Sequence, residues 1–270
     1  MRVIINDDFD LDKTANCGQC FRAKEIEEGI YRFITKENVI YIKKVENNTF
    51  EVSCDDNEWT DIWKNYFDIA TNYQEIRNDI SKLNNYLKKA AQLGEGIRIL
   101  KQDPFETLIS FIISQRKSIP SIKTSVERIA AKYGKSIITE YETVNLFPTL
   151  DEMKAALPID LSGCGLAYRA DYIKDAIDKL RNGDINLEAL WHRADNELVE
   201  ELKKIRGVGD KVANCVALFA YHRVDRVPID VWISRAINDD FNGHNFFDDI
   251  ESNAGIAQQY VFYAKKFAKK

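Results

Sequence analysis

The chain has 270 residues, with 38 Lys and Arg against 43 Asp and Glu and a formal net charge of -5. At 45% hydrophobic and 11% aromatic content it can build one large or two modest globular domains, which excludes a disordered chain. The negative balance excludes a uniformly basic surface, and no apolar run approaches the ~20 residues of a membrane helix.

The opening Met1 to Ile5 is too short for a signal peptide. Cys17-Gly18-Gln19-Cys20 is a lone Cys-x-x-Cys, and the five cysteines (17, 20, 54, 164 and 215) are an odd number in a long chain, so reduced thiols are expected. Short β-prone runs at 30–34, 39–45 and 49–54, separated by Lys36-Glu37-Asn38 and Asn47-Asn48, predict an antiparallel meander. Helical patterns follow over 58–67 and 73–93, and Gly94-Glu95-Gly96 marks a boundary between domains over 1–96 and 97–270. In the second domain Asp103-Pro104-Phe105-Glu106 joins an N-cap to a first-turn proline, and Thr149-Leu150-Asp151-Glu152 repeats the capping-box pattern. Further helices are expected over 119–133 and 168–181. The fold class is therefore α+β: a small N-terminal antiparallel β domain with helices, followed by an all-α body.

The most informative stretch is 202–213. Helical spacing over 195–204, opened by Asp195 as a cap, and over 210–220 leaves only Ile205 to Gly209 between two helices. Gly207-Val208-Gly209 is a hairpin whose amides can approach a phosphate at a helix N-terminus, although Gly-x-Gly alone also marks an ordinary tight turn. Lys203, Lys204, Arg206 and Lys211 cluster around it and supply the local basic patch that the overall charge does not. Downstream, Arg226-Val227-Pro228-Ile229-Asp230-Val231-Trp232 is a proline-stiffened loop that delivers Asp230 to the N-cap of a third helix. The terminal Lys265-Lys266-Phe267-Ala268-Lys269-Lys270 reads as a solvated helix end.

Hairpin, Lys211 and Asp230, with 18 residues between the last two, resemble the helix-hairpin-helix DNA glycosylases, which carry a Gly/Pro-rich loop followed by an aspartate. Within that superfamily the resemblance runs from Gly18 to Phe262 and is to the 8-oxoguanine DNA glycosylases. It implies a TBP-like first domain, two helical lobes with the helix-hairpin-helix at about 195–220, and a bifunctional glycosylase and lyase. Lys211 would attack C1′ of a flipped nucleotide and form a Schiff base; its first-turn position favours the neutral amine, and the alternative for such a lysine alone is a phosphate contact. Asp230 would stabilise the charge developing on the sugar or accept a proton, and as a plain N-cap it would be ordinary.

Cys17-Gly18-Gln19-Cys20-Phe21-Arg22 is similar to the family's Gly-Gln-x-Phe-Arg segment, which implies that the Gly18 carbonyl accepts the N7 hydrogen of the oxidised base, beside Phe21. Cys215 is similar to the cysteine that packs on the extruded base and reads equally as a small buried hydrophobe. Ala254-Gly255-Ile256-Ala257-Gln258 matches the stretch whose glutamine reads the base edge, and Phe262, one turn on, would stack on the base. Tyr168 and Arg169, in Gly165-Leu166-Ala167-Tyr168-Arg169, resemble the wedge and the arginine that contacts the orphaned base, while Gln115 in Ser114-Gln115-Arg116 resembles the superfamily's plug. Departures are the missing asparagine run at 112–118, Ser121 in place of an arginine, and Trp232 in place of a histidine.

No cysteine follows Cys215, which argues against the C-terminal iron-sulfur cluster of the endonuclease III and adenine-glycosylase branches. No cofactor or metal is expected, with a monovalent cation on the hairpin carbonyls left open. The partner is duplex DNA containing an oxidised purine, met by a monomer in the cytoplasm or nucleoid of a prokaryote. The alternatives are a monofunctional alkylated-base glycosylase and a non-catalytic helix-hairpin-helix anchor.

Overall fold

Residues 1–153, 156 and 158–267 are described by a computed structural model of the chain. The first strand, β1 (Arg2–Ile4), is followed by a short helix α1 (Leu11–Asn16), then β2 (Lys24–Glu27), β3 (Ile30–Thr35), β4 (Asn38–Glu46) and β5 (Thr49–Val52). They form one antiparallel sheet in the order β1-β5-β4-β3-β2, with Phe33 opposite Ile40 and Ile42 opposite Val52. The meander of β3 to β5 matches the sequence expectation. The edge strands β1 and β2 were not foreseen, because Lys24-Glu25-Ile26-Glu27 is too charged to read as a strand and owes its conformation to pairing with β3.

Phe33, Ile40, Ile42 and Phe50 bury one sheet face against Phe9, Trp59, Trp63, Tyr66 and Phe67. Both tryptophans lie on a π-helical turn (Trp59–Trp63) set between α2 (Asp56–Glu58) and α3 (Lys64–Tyr66), where a single helix over 58–67 was expected. The π turn ends in a hydrogen bond from the Trp63 indole to Glu58, at 2.8 Å.

The helix expected over 73–93 is two helices, α4 (Tyr73–Leu83) and α5 (Asn85–Leu93). Asn84 leaves helical geometry and caps α5, its Oδ1 accepting from the Leu87 amide at 2.8 Å. Tyr73, Ile80, Leu87, Ala90 and Ala91 share a core with Ile256, Ala257 and Tyr260, so packing continues across Gly94-Glu95-Gly96. Arg98, fully buried, locks this junction: it donates to the carbonyls of Phe67, Asp68, Thr71 and Asp8 and pairs with Asp7 at 2.8 Å. Five bonds to one guanidinium satisfy the loop carbonyls that the sheet and the helices leave unpaired.

The body comprises α6 (Pro104–Ser114), α7 (Ile119–Tyr133), a hairpin β6 (Ser136–Ile138) and β7 (Thr143–Asn145), α8 (Pro158–Ser162), α9 (Arg169–Asn182), α10 (Asp195–Lys203), α11 (Asp210–Phe219), α12 (Val231–Arg235) and α13 (Ala254–Phe267). Asp103 caps α6 as expected, accepting from Glu106 at 2.9 Å. Three details differ from the sequence reading. The β6/β7 hairpin interrupts the helices, its strands being too short to register as a pattern. Thr149 and Glu152 make the reciprocal capping bonds, at 3.2 and 2.8 Å, but cap a turn over 150–153. The N-cap of α10 is Ala194, and Asp195 instead pairs with Arg223 and Arg226, at 3.3 and 3.6 Å, tying α10 to the loop that carries Asp230. Of the terminal basic run, 268–270 lie outside the described residues. All five cysteines are free and buried, and among the described residues no helix is long and apolar enough to cross a membrane.

Candidate active site

Helices α6, α11 and α13, the N-terminus of α12 and the turn after α1 enclose a cleft of about 610 Å³, a size suited to a small organic group. The hairpin ends at Gly209, the N-cap of α11, so Lys211 stands in the first turn and reaches across to α6. Its Nζ lies 3.4 Å from Ser114 Oγ and 5.0 Å from the centroid of the Phe111 ring. Among the described residues no carboxylate comes within 4 Å of it, so the amine is held by a hydroxyl and a ring face and not by an ion pair. Asp230 caps α12 through one oxygen, Oδ1, which accepts from Trp232 and Ile233 at 3.0 and 2.9 Å. The second oxygen takes no part in the cap. Cys215, one turn beyond Lys211, is buried in the same wall; burial pushes its thiol up, and the neighbouring Lys211 pulls the other way.

The facing wall is Gly18, Phe21, Gln258 and Phe262. Gly18 has φ +89, and a Cβ there would stand 3.2 Å from both Ile119 and the Phe262 ring. Its turn is tied from three sides. Gln19 bridges the Arg98 carbonyl (2.7 Å) and the Leu100 amide (2.8 Å); Arg22 pairs with Glu127 at 3.0 Å; and Gln259 donates to the Cys17 carbonyl at 2.8 Å. Gln258 is 4% exposed and donates to the Pro228 carbonyl at 3.1 Å, while its Oε1 has no partner among the described residues. A buried acceptor without a donor is rare in folded proteins, and one that lines a cleft is poised for a ligand N–H. Phe21 packs edge-on against Phe111, centroids 5.3 Å apart, which joins the two walls at the floor.

Two family models together cover residues 2–254 of the chain: the N-terminal domain of 8-oxoguanine DNA glycosylase over residues 2–108, and the HhH-GPD superfamily of base excision DNA repair proteins over 109–254. The chain belongs to the 8-oxoguanine DNA glycosylase family. The apo structure of the Clostridium acetobutylicum 8-oxoguanine glycosylase/lyase is 37% identical with a TM-score of 0.92, covering 97% of this chain and 95% of that one. The same enzyme bound to duplex DNA with cytosine opposite 8-oxoG gives 35% and 0.90, covering 100% and 99%. A probable N-glycosylase/DNA lyase of Methanothermobacter thermautotrophicus is 27% identical over 92% of this chain and 87% of its own length. The N-glycosylase/DNA lyase of Saccharomyces cerevisiae is 36% identical over 54% of this chain and only 42% of its own length.

In this glycosylase the hairpin lies outside the cleft. Gly207 has φ +80, and a Cβ would fall 2.2 Å from the Tyr172 ring; Val208 is buried and Gly209 faces open space, where a backbone can be approached closely. Gly207→Ala is expected to displace the hairpin and to weaken duplex binding by roughly tenfold or more while cleft residues keep their places, a change read by fluorescence anisotropy at fixed salt. The expected basic patch is largely answered within the protein. Lys203 pairs with Glu200 and Asp210, both at 2.8 Å, and Lys204 with Glu201 at 2.7 Å. Arg206 lies over Tyr172 with its guanidinium 5.6 Å from the ring centroid, and Lys211 points into the cleft.

At the rim of the cleft, Gln115 and Arg116 follow α6, and Arg116 takes φ +52, a strained value for a side-chain-bearing residue. Tyr168 is 45% exposed, with its ring edge-on to Tyr172. Arg169 is buried: it is 5% exposed, packs beneath Tyr168, and donates through Nε to the Gln115 carbonyl at 2.9 Å, so it braces the α6 terminus in place of reaching outward. Lys117 completes a cross-tie from the other side, donating to the Gly165 carbonyl at 2.7 Å. Sequence reasoning missed Phe111, Ser114, Lys117, Gln259 and Lys266. Only Gln259, next to Gln258, offered a signal; Phe111, Ser114 and Lys266 are set by the crossing of α6, α11 and α13, and Lys117 by the approach of α7 and the Gly165 loop.

Proposed function

We propose that this member of the family excises 8-oxoguanine from duplex DNA and cleaves the strand at the resulting abasic site, with Lys211 as nucleophile. The lesion nucleotide flips out of the stack into the cleft, its base between Phe262 and Cys215, with its edge on Gln258 and its N7 hydrogen on the Gly18 carbonyl. The Lys211 amine attacks C1′ as the bond from C1′ to the base nitrogen breaks, and the electron pair leaves with the base. Asp230, through the oxygen its cap does not use, stabilises the positive charge on the sugar. The amine loses a proton, the sugar ring opens to a protonated imine, loss of a C2′ proton follows, and the 3′ phosphate departs with its electron pair. The chemistry as written uses lysine and carboxylate and no cofactor. One monomer per lesion suffices, and a duplex substrate puts a prokaryotic enzyme at the nucleoid.

The observation that carries this reading is that Lys211, Asp230 and the unpartnered Oε1 of Gln258 share one cleft with Gly18. Sodium borohydride trapping on duplexes carrying 8-oxoguanine opposite each of the four bases tests it. A covalent product is expected, and its variation with the opposite base reads what Ser121 and the internally held Arg169 do to cytosine recognition. Base release with no covalent product would instead identify a monofunctional enzyme. Gly18→Ala is expected to lose release of 8-oxoguanine while abasic-site cleavage survives, since the new methyl group meets Phe262 and forces the carbonyl to turn.

A further inference from the structure

Lys266 belongs to a run that reads as solvated, yet it lines the cleft. Residues 258, 262 and 266 stand one turn apart on one face of α13, so Lys266 extends the line of Gln258 and Phe262. Its Nζ is 5.0 Å from the centroid of the Phe262 ring. Lys265 turns the other way, to Asp240 and the Tyr86 ring. Among the described residues no carboxylate lies within 4 Å of Lys266. Burial pushes its ammonium toward losing the proton; Asp230 opposes that and Lys211 adds to it, so the three groups sense one another across the cleft. A half-buried ammonium without a paired anion is costly to keep, and it is found where an anion arrives or develops.

The reaction develops one there. As the bond to C1′ breaks, the sugar becomes positive beside Asp230 and the base takes the electron pair beside Phe262. We propose that Lys266 is a catalytic residue that contacts the flipped base and stabilises the negative charge it acquires on leaving. This rests on the excision of 8-oxoguanine proposed above. The Lys266 ammonium keeps its proton through bond cleavage, and the released base anion then takes a proton from solvent water.

Abasic-site cleavage involves no departing base and so separates this role from the rest. Single-turnover base release from an 8-oxoguanine duplex and strand cleavage of a preformed abasic duplex are measured for wild type, Lys266→Met and Lys266→Arg, with melting temperatures alongside. Lys266→Met, which keeps the apolar stem, is expected to slow base release by roughly 10²-fold while abasic-site cleavage and melting stay unchanged, and Lys266→Arg to recover most of the rate. Equal losses in both reactions, with weaker binding and a salt dependence shallower by about one phosphate, would make Lys266 a backbone contact and overturn the assignment. Unchanged rates in both would return it to the solvated surface. A wild type that leaves 8-oxoguanine in place but cleaves the abasic duplex overturns the functional reading itself, and the base-charge role with it.

Discussion

Lys211→Gln is expected to abolish borohydride trapping, base release and abasic cleavage together while duplex binding persists. Glutamine keeps a polar end within reach of Ser114 and Phe111, so the cleft loses a nucleophile and little else. Removing a covalent nucleophile costs on the order of 10³ to 10⁶ in rate, far more than the loss of a single phosphate contact. Trapping and gel shift at one salt concentration separate the two. A variant that binds weakly but still releases base would demote Lys211 to a phosphate ligand.

Asp230→Asn has the second largest expected effect, and its value lies in what asparagine preserves. The cap uses Oδ1 as an acceptor for two amides, and the asparagine carbonyl can make both bonds. Stability should therefore hold. The negative charge facing the sugar is gone, and excision is expected to fall by about 10² to 10³-fold, the range for removing one preorganised electrostatic group. Asp230→Ala should add a loss of about 0.5 to 2 kcal/mol in stability to the same catalytic defect. An asparagine variant with normal excision would leave Asp230 only its cap.

Much of this site could be read in one dimension because its key groups sit at helix starts, where local chemistry is explicit. Gly207 takes a positive φ, Asp230 caps α12 with its side chain, and Lys211 follows Gly209, the N-cap of α11, by its place in the first turn. Gln258 and Phe262 share a face by helical period alone. What could not be read is set by crossings between distant elements. Phe111 and Ser114 look like ordinary members of a buried helix until α11 places Lys211 over them. Asn84 splits a helix that periodicity would have continued, because side-chain capping competes with propagation at an Asn-Asn pair. Arg169, which the resemblance assigns to contacting an orphaned base, points inward, since the α6 terminus presents the Gln115 carbonyl to it. Direction of a long side chain is a tertiary property, and a motif does not carry it.

The carboxylates that hold Lys203 and Lys204 also bear on how the enzyme travels along DNA. Cations already matched by Glu200, Asp210 and Glu201 displace few counterions when they meet a duplex, so they add little to the salt-sensitive, sequence-blind part of affinity. If the hairpin holds a duplex through its backbone amides, as its resemblance implies, an acidic protein would stay only briefly at each undamaged stretch. Brief visits raise the number of base pairs inspected per unit time, and they leave lingering to the one nucleotide that fits the cleft. The same internal pairing that makes the hairpin look poorly equipped for DNA thus favours a fast search over a tight grip.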